Sequence, residues 1–130
     1  SVAASEHNQL CVGNNDEMRT DGSALLMAGL GLAWTTWQHA QGKLGWSSAN
    51  IDEYVVHQVS AVHTAKLAES FGADLERFHK IYPTFGNIGP AGVPTVLKKS
   101  LEAGRIRDGQ RVALMGIGSG LNCSMMEVVW

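Results

Sequence analysis

Between Ser23 and Gln41, apolar residues recur at helical spacing, with Leu26, Leu30, Ala33 and Trp37 on one face. Leu25, Leu32 and Trp34 widen that face until the segment is apolar on most sides, which predicts a helix held between layers of structure. Asp21 or Thr20 stands where a cap belongs. Upstream, Ser1 to Val12 predicts a strand followed by a polar turn at Gly13-Asn14-Asn15-Asp16-Glu17. Gly42 to Asn50 predicts a loop, and the β-rich run Tyr54-Val55-Val56 predicts a central strand. Ser60 then caps a helix reaching Phe71, with Ala61, Ala65 and Ala68 on one face and Gly72 as its stop.

Leu75 to His79 predicts a short helical turn, and Ile81 to Phe85 a short strand. Two glycines and a proline make Gly86-Asn87-Ile88-Gly89-Pro90 a loop. A helix from Gly92 to Ala103 follows, with Pro94 tolerated in its first turn and Gly104 ending it. Arg111 to Ile117 predicts a strand, Gly118-Ser119-Gly120 a tight turn, and Leu121 to Val129 a last strand. Strands alternating with helices in this order imply an α/β fold with a mixed sheet.

Composition narrows the class. A chain of 130 residues that is 45% hydrophobic and 17% charged can bury a core and is read as one domain, 1–130. A formal net charge of −2 without any lysine or arginine block excludes a nucleic-acid surface. The small cluster Arg105, Arg107 and Arg111 reads as solvated surface. Cys11 and Cys123 form no CxxC pair and read as reduced, buried thiols. Residues 22–42 carry no Asp, Glu, Lys or Arg, but the continuous apolar run Ala24 to Trp34 is too short to span a bilayer. No membrane span and no signal peptide are expected, and the expected location is cytoplasmic. The chain opens with Ser1 directly in a strand pattern, so it is expected to be a piece of a longer protein.

Three features fall beyond predicted strand ends, where α/β folds place their sites. They are His57 after Tyr54-Val55-Val56, Asn87 in its glycine-rich loop, and Gly118-Ser119-Gly120 between the last two strands. Each has a plain reading by itself: a structural histidine, an asparagine tolerant of an unusual backbone angle, a hairpin turn. Their conjunction and wording say more. His57-Gln58-Val59-Ser60 resembles the His-Gln motif of class III β-ketoacyl synthases. Gly86-Asn87-Ile88-Gly89-Pro90-Ala91 resembles their Gly-Asn motif, and Gly116-Ile117-Gly118-Ser119-Gly120-Leu121 their C-terminal glycine-rich turn. The resemblance is specific from Asp52 to Trp130 and looser before it.

The resemblance implies the C-terminal half of a thiolase-like αβαβα fold, with a mixed sheet covered by helices on both faces. It implies an acyltransferase that joins acyl thioesters by Claisen-type condensation, in fatty acid or long-chain olefin biosynthesis. The nucleophilic cysteine of such enzymes belongs to the first half, and neither Cys11 nor Cys123 matches its position. By carry-over, His57 and Asn87 donate hydrogen bonds to the enolate oxygen that develops during carbon–carbon bond formation. The backbone N–H of Ser119, in the Gly118–Gly120 turn, would hold the oxygen of the acyl-cysteine; serine stands there in place of a usual glycine.

Departures from the family pattern point to a branch. Carrier-protein-dependent members read His-Gln-Ala-Asn with a basic residue in the next helix, whereas this chain has Val59-Ser60 and Val62. Val59-Ser60 and Gly118-Ser119-Gly120-Leu121-Asn122 look more like the branch that condenses two long-chain acyl-CoAs head to head. Acyl-CoA is thus the expected substrate, with acyl carrier protein as the other candidate partner. No metal or redox cofactor is implied; His57 and His63 lack a usual zinc spacing, and Gly116-x-Gly118-x-Gly120 precedes a strand rather than a helix. The apolar helix calls for a covering partner, either the N-terminal half of the same fold or a second copy in a homodimer. The alternative reading is a non-catalytic interaction module that keeps the half-fold.

Overall fold

The computed structural model describes every residue except position 119. Its main sheet has four strands in the order β1-β6-β5-β4. These are β1 (Val2–Ala3), β4 (Glu53–Val56), β5 (Arg111–Gly118) and β6 (Asn122–Val129). β4 and β5 run parallel, while β5–β6 and β1–β6 are antiparallel, so the sheet is mixed as expected. A separate hairpin joins β2 (Cys11–Gly13) to β3 (Met18–Thr20).

Strand alternation sends side chains to two faces, and each face has its own core. Tyr54, Val56, Ala113 and Met115 face helices α1 (Gly22–Leu44) and α2 (Ala61–Phe71). Val55 and Val112 face the other way, toward Ile81, Ile106 and Val96 of α4 (Gly92–Glu102). Helices therefore cover both faces. The inner stripe of α1 is Gly29, Leu32, Ala33, Thr36, Trp37 and Ala40, a repeat of three and four residues. Trp37 stacks on Phe71 of α2 with ring centroids 4.7 Å apart, and Tyr54 stacks on Phe78 at 4.5 Å.

One acid is buried in this frame. Glu53 is 2% exposed and meets Arg105 through two bonds, Nε to Oε1 at 2.7 Å and Nη2 to Oε2 at 3.0 Å. Ser100 Oγ adds a third at 3.1 Å, so the end of α4 is tied to the start of β4. A buried charge is tolerable only with such pairing.

The capping expectations hold at both long helices. Asp21 accepts from the Ala24 N–H, and Ser60 accepts from the His63 N–H. On α1 the buried stripe holds Gly29, Leu32, Thr36 and Ala40 where Leu26 and Leu30 were expected, and four further local expectations change. The first strand stops at Ala3, because Ala4 pairs with Leu121 and the polar run Ser5–Leu10 closes into a 3₁₀ helix. α1 continues past Gly42 to Leu44 and ends at Gly45, whose φ of 65° suits glycine. Tyr82–Phe85 is a turn of helix (α3), since Pro83 has no N–H for a strand ladder but fits a first helical turn. β4 lies at the edge of the described sheet rather than its centre, although all four of its residues are buried.

No helix among the described residues is long and apolar enough to cross a membrane. The outer side of α1 is not covered within this chain: Met27 is 66% and Trp34 41% exposed. Trp37 joins α1, α2 and β4, so Trp37→Ala is expected to lower unfolding free energy by about 3–5 kcal/mol. A shift of the urea midpoint by less than about 1 kcal/mol equivalent would contradict that placement.

Candidate active site

The parallel pairing of β4 with β5 sets both strands' C-terminal ends at one edge of the sheet. Val56 lies opposite Met115, and the His57 N–H continues the ladder by donating to Met115 O at 2.9 Å. His57 thus leaves the sheet beside the stretch that runs from Gly116 to Gly118. Gly118 pairs with Asn122 across the hairpin, and a Cβ added to it would lie 3.4 Å from the Asn122 amide. Gly120 has a φ of 115°, which only glycine adopts readily. Ser119, whose backbone N–H was assigned to the acyl oxygen, lies outside the described residues.

Asn87 reaches the same edge by another route. The chain leaves α3 through Gly86, with φ 65°, and Asn87 Oδ1 accepts from the Gly89 N–H at 3.0 Å. That bond occupies the amide oxygen, and the Nδ2 donors bond to no described residue. Gly89 and Gly92 bring the loop onto the histidine. The Gly89 backbone lies near enough to the His57 ring to affect its titration. A Cβ on Gly92 would come within 3.1 Å of His57 Nδ1, tighter than an ordinary contact. A residue larger than Gly92 at the start of α4 would crowd the imidazole, a constraint that sequence reading did not single out. The signal was a glycine opening a helix directly after the Gly-Asn loop.

Electrostatics favour the neutral form of both histidines at this edge. Burial pushes the His57 pKa below its ordinary 6.5, and the nearby Gly89 backbone opposes this. His63, on the first turn of α2, is buried and also lowered, first by burial and then by the charge of His57 nearby. Its Nδ1 meets no partner among the described residues. Both histidines line a small cavity walled mainly by apolar side chains, including Leu67, Phe71 and Met115. Sequence reading passed over His63 because only the fold brings α2 back against β4. No described group of His, Cys, Asp and Glu could hold a metal ion.

Cys123 is a poor nucleophile here. Cys123 is buried in β6, and burial pushes its thiol above its ordinary value, against a smaller opposing bond from Thr36. A reactive thiol needs the opposite shift. Cys11 sits in the β2–β3 hairpin and accepts from Thr20 Oγ1 at 3.4 Å.

A mixed sheet with helices on both faces, gathering a histidine, an asparagine loop and a glycine turn at one edge, defines a thiolase-like half-fold of the condensing-enzyme class. Residues 42–130 match the family model described as 3-oxoacyl-[acyl-carrier-protein] synthase III C terminal, and the chain belongs to that family. It is 52% identical over 128 residues to an acyl-CoA:acyl-CoA alkyltransferase of Xanthomonas campestris, covering 98% of this chain and 38% of that protein. Two solved structures superpose with TM-scores of 0.94 at 52% identity. They are the 3-oxoacyl-(acyl carrier protein) synthase III, FabH, of Xanthomonas oryzae and an OleA variant of Xanthomonas campestris with lauric acid and lauroyl-CoA. Each covers 99% of this chain, which spans 38% of theirs.

The lowered histidines have a consequence for stability. Below the ordinary value of 6.5, the unfolded chain takes up protons at His57, His63 and His79 before the folded chain does. Folding stability is therefore full above 6.5 and declines as pH falls through the lower folded-state values. Urea midpoints measured across this range should fall toward acid, and His63→Phe should flatten the decline. A profile unchanged by that substitution would contradict the buried, neutral state of His63.

Proposed function

We propose that this chain supplies the oxyanion-binding half of an acyltransferase that joins two acyl thioesters through a new carbon–carbon bond. The observation that carries the reading is the meeting of His57 and the Asn87 loop at one sheet edge, where a Cβ on Gly92 would come within 3.1 Å of the His57 ring. Both side chains offer neutral N–H donors. Such donors suit an oxygen that gains negative charge only during reaction, because they need no compensating ion in the ground state.

The chemistry divides into two steps. A cysteine thiolate of the complete protein attacks the first thioester carbonyl; its carbon–sulfur bond breaks and CoA thiolate leaves. A base then takes the α-proton of a second acyl thioester, and the electron pair moves onto its carbonyl oxygen as an enolate. His57 and Asn87 donate to that oxygen. The enolate carbon attacks the acyl-cysteine carbonyl, the cysteine–carbonyl bond breaks, and the cysteine leaves as thiolate. The product is a β-ketoacyl thioester. Ser119 N–H, between Gly118 and Gly120, serves the acyl-cysteine oxygen in this scheme. No metal or redox cofactor takes part.

Long-chain acyl-CoA is the preferred substrate for both steps. The wording Val59-Ser60 and the exposed Val62, 59% accessible, leave no basic residue at that position for a carrier protein. The similar alkyltransferase of Xanthomonas campestris acts, by its name, on two acyl-CoAs. Malonyl-carrier protein as second substrate is the competing case. The complete protein should be assayed with acyl-CoA alone and then with malonyl-carrier protein added. Product from acyl-CoA alone should fall about 10²–10³-fold in His57→Ala and in Asn87→Ala. Undiminished product in both variants would remove the oxyanion assignment.

The uncovered apolar groups on α1, α2 and β6 point to a covering partner. Met27, Trp34, Val62, Met126 and Val129 are each at least 41% exposed in the chain alone. The rest of a complete condensing-enzyme fold covers part of this surface, and a second copy in a homodimer covers more. The isolated chain is expected to self-associate in light scattering at high concentration; a stable monomer would count against uncovered interface.

A further inference from the structure

His57 and Asn87 can serve one oxygen only while the loop bearing Asn87 keeps its place against the end of β4. The bonds of Asn87 do not secure this, since its Oδ1 bonds to Gly89 within the same loop and the side chain is exposed. The restraint comes from the next residue after His57. Gln58 is 1% exposed. Its Oε1 accepts from the Ile81 N–H at 2.8 Å and from the Tyr82 N–H at 3.2 Å. Its Nε2 donates to His79 O at 2.6 Å. Two donors on one side and a carbonyl on the other leave the amide a single sensible orientation.

These bonds hold the main chain just before α3, the helical turn that leads through Gly86 into Asn87. Beyond Asn87, Gly92 packs against the His57 ring. Two consecutive residues at the end of β4 therefore hold the chain on both sides of Asn87. We infer that Gln58 is a positioning residue that sets the spacing of the two oxyanion donors. The inference rests on the oxyanion reading of His57 and Asn87.

Glutamine suits this place because one side chain carries both an acceptor and a donor. It satisfies two N–H groups and a carbonyl in a stretch that has no strand to pair with. An apolar replacement of similar length leaves all three main-chain groups without partners, and the segment must shift to reach water. A displacement of about 1 Å at a catalytic donor costs on the order of 10²-fold in rate. The loss should fall on enolate formation and condensation. Acyl transfer to the cysteine, which relies on the glycine turn, should be spared.

The test compares Gln58→Met and Gln58→Glu with the parent in the complete protein that carries this sequence, using lauroyl-CoA. Single-turnover CoA release reports acyl transfer, and β-keto product reports condensation. In Gln58→Met, CoA release and KM should stay within about threefold while condensation falls roughly 100-fold. Gln58→Glu keeps an acceptor for Ile81 and Tyr82 and should recover about tenfold of that loss. Condensation within about threefold of the parent in Gln58→Met overturns the inference, as does an equal fall of both half-reactions. So does a loss that Gln58→Glu leaves unrecovered. Should Gln58→Met not fold, selective loss of condensation in Gln58→Glu supports the role, and equal or no loss overturns it. His57→Ala and Asn87→Ala run alongside: condensation surviving in both defeats the oxyanion reading itself, whatever the Gln58 variants do.

Discussion

The parallel pairing of β4 with β5 is the constraint on which the rest of this structure depends. Val56 opposite Met115, and the His57 N–H on Met115 O at 2.9 Å, align the C-terminal ends of two strands separated by a long stretch of chain. Parallel strands need a crossover, and here it consists of α2, α3 and α4. That crossover returns the chain from β4 to β5 and carries Asn87 to the edge where both strands end. Antiparallel pairing of the same two segments would place His57 and the glycine turn at opposite ends of the sheet.

The two cores make that edge rigid in different ways. On one face, Trp37 stacks on Phe71 and meets Tyr54 of β4, locking α1 and α2 against the sheet, while Tyr54 stacks on Phe78 of the chain beyond α2. On the other, Val55, Val112 and Val96 pack α4 closely, and the Glu53–Arg105 pair ties its far end. The helix that starts beside His57 is thus held at both ends: by Gly92 against the imidazole and by Ser100 and Arg105 on Glu53. Burial lowers the pKa of His57 and His63, so this edge carries neutral imidazoles rather than charge at ordinary pH.

Much of this was legible in the chain because the elements obey local rules. The helical period of α1, the caps Asp21 and Ser60 and the stops at Gly72 and Gly104 each follow from side-chain chemistry within a few residues. The motifs around His57, Asn87 and Gly118 were legible as wording, and membership of the synthase III family agrees with that wording. The misreadings occurred where local preference is weak. Ile81 to Phe85 reads as a strand by its β-branched and aromatic residues, yet Pro83 and the Gln58 bonds to Ile81 and Tyr82 turn it into a helical bend. Ser1 to Val12 reads as one strand, yet Ala4 bonding to Leu121 interrupts it.

The sequence by itself determined the helices and strands whose periodicity is strong, the glycines at backbone angles other residues avoid, and the residue types capable of the chemistry. These depend on neighbours a few positions away, so a linear reading reaches them. Only the tertiary structure decided that β4 and β5 run parallel, that Gln58 grips a segment more than twenty residues further along, and that His63 faces the same cavity as His57. It also decided that a side chain at Gly92 would press on the His57 imidazole. Such facts arise from hydrogen bonds and close packing between residues distant in the chain, and no local pattern encodes those distances.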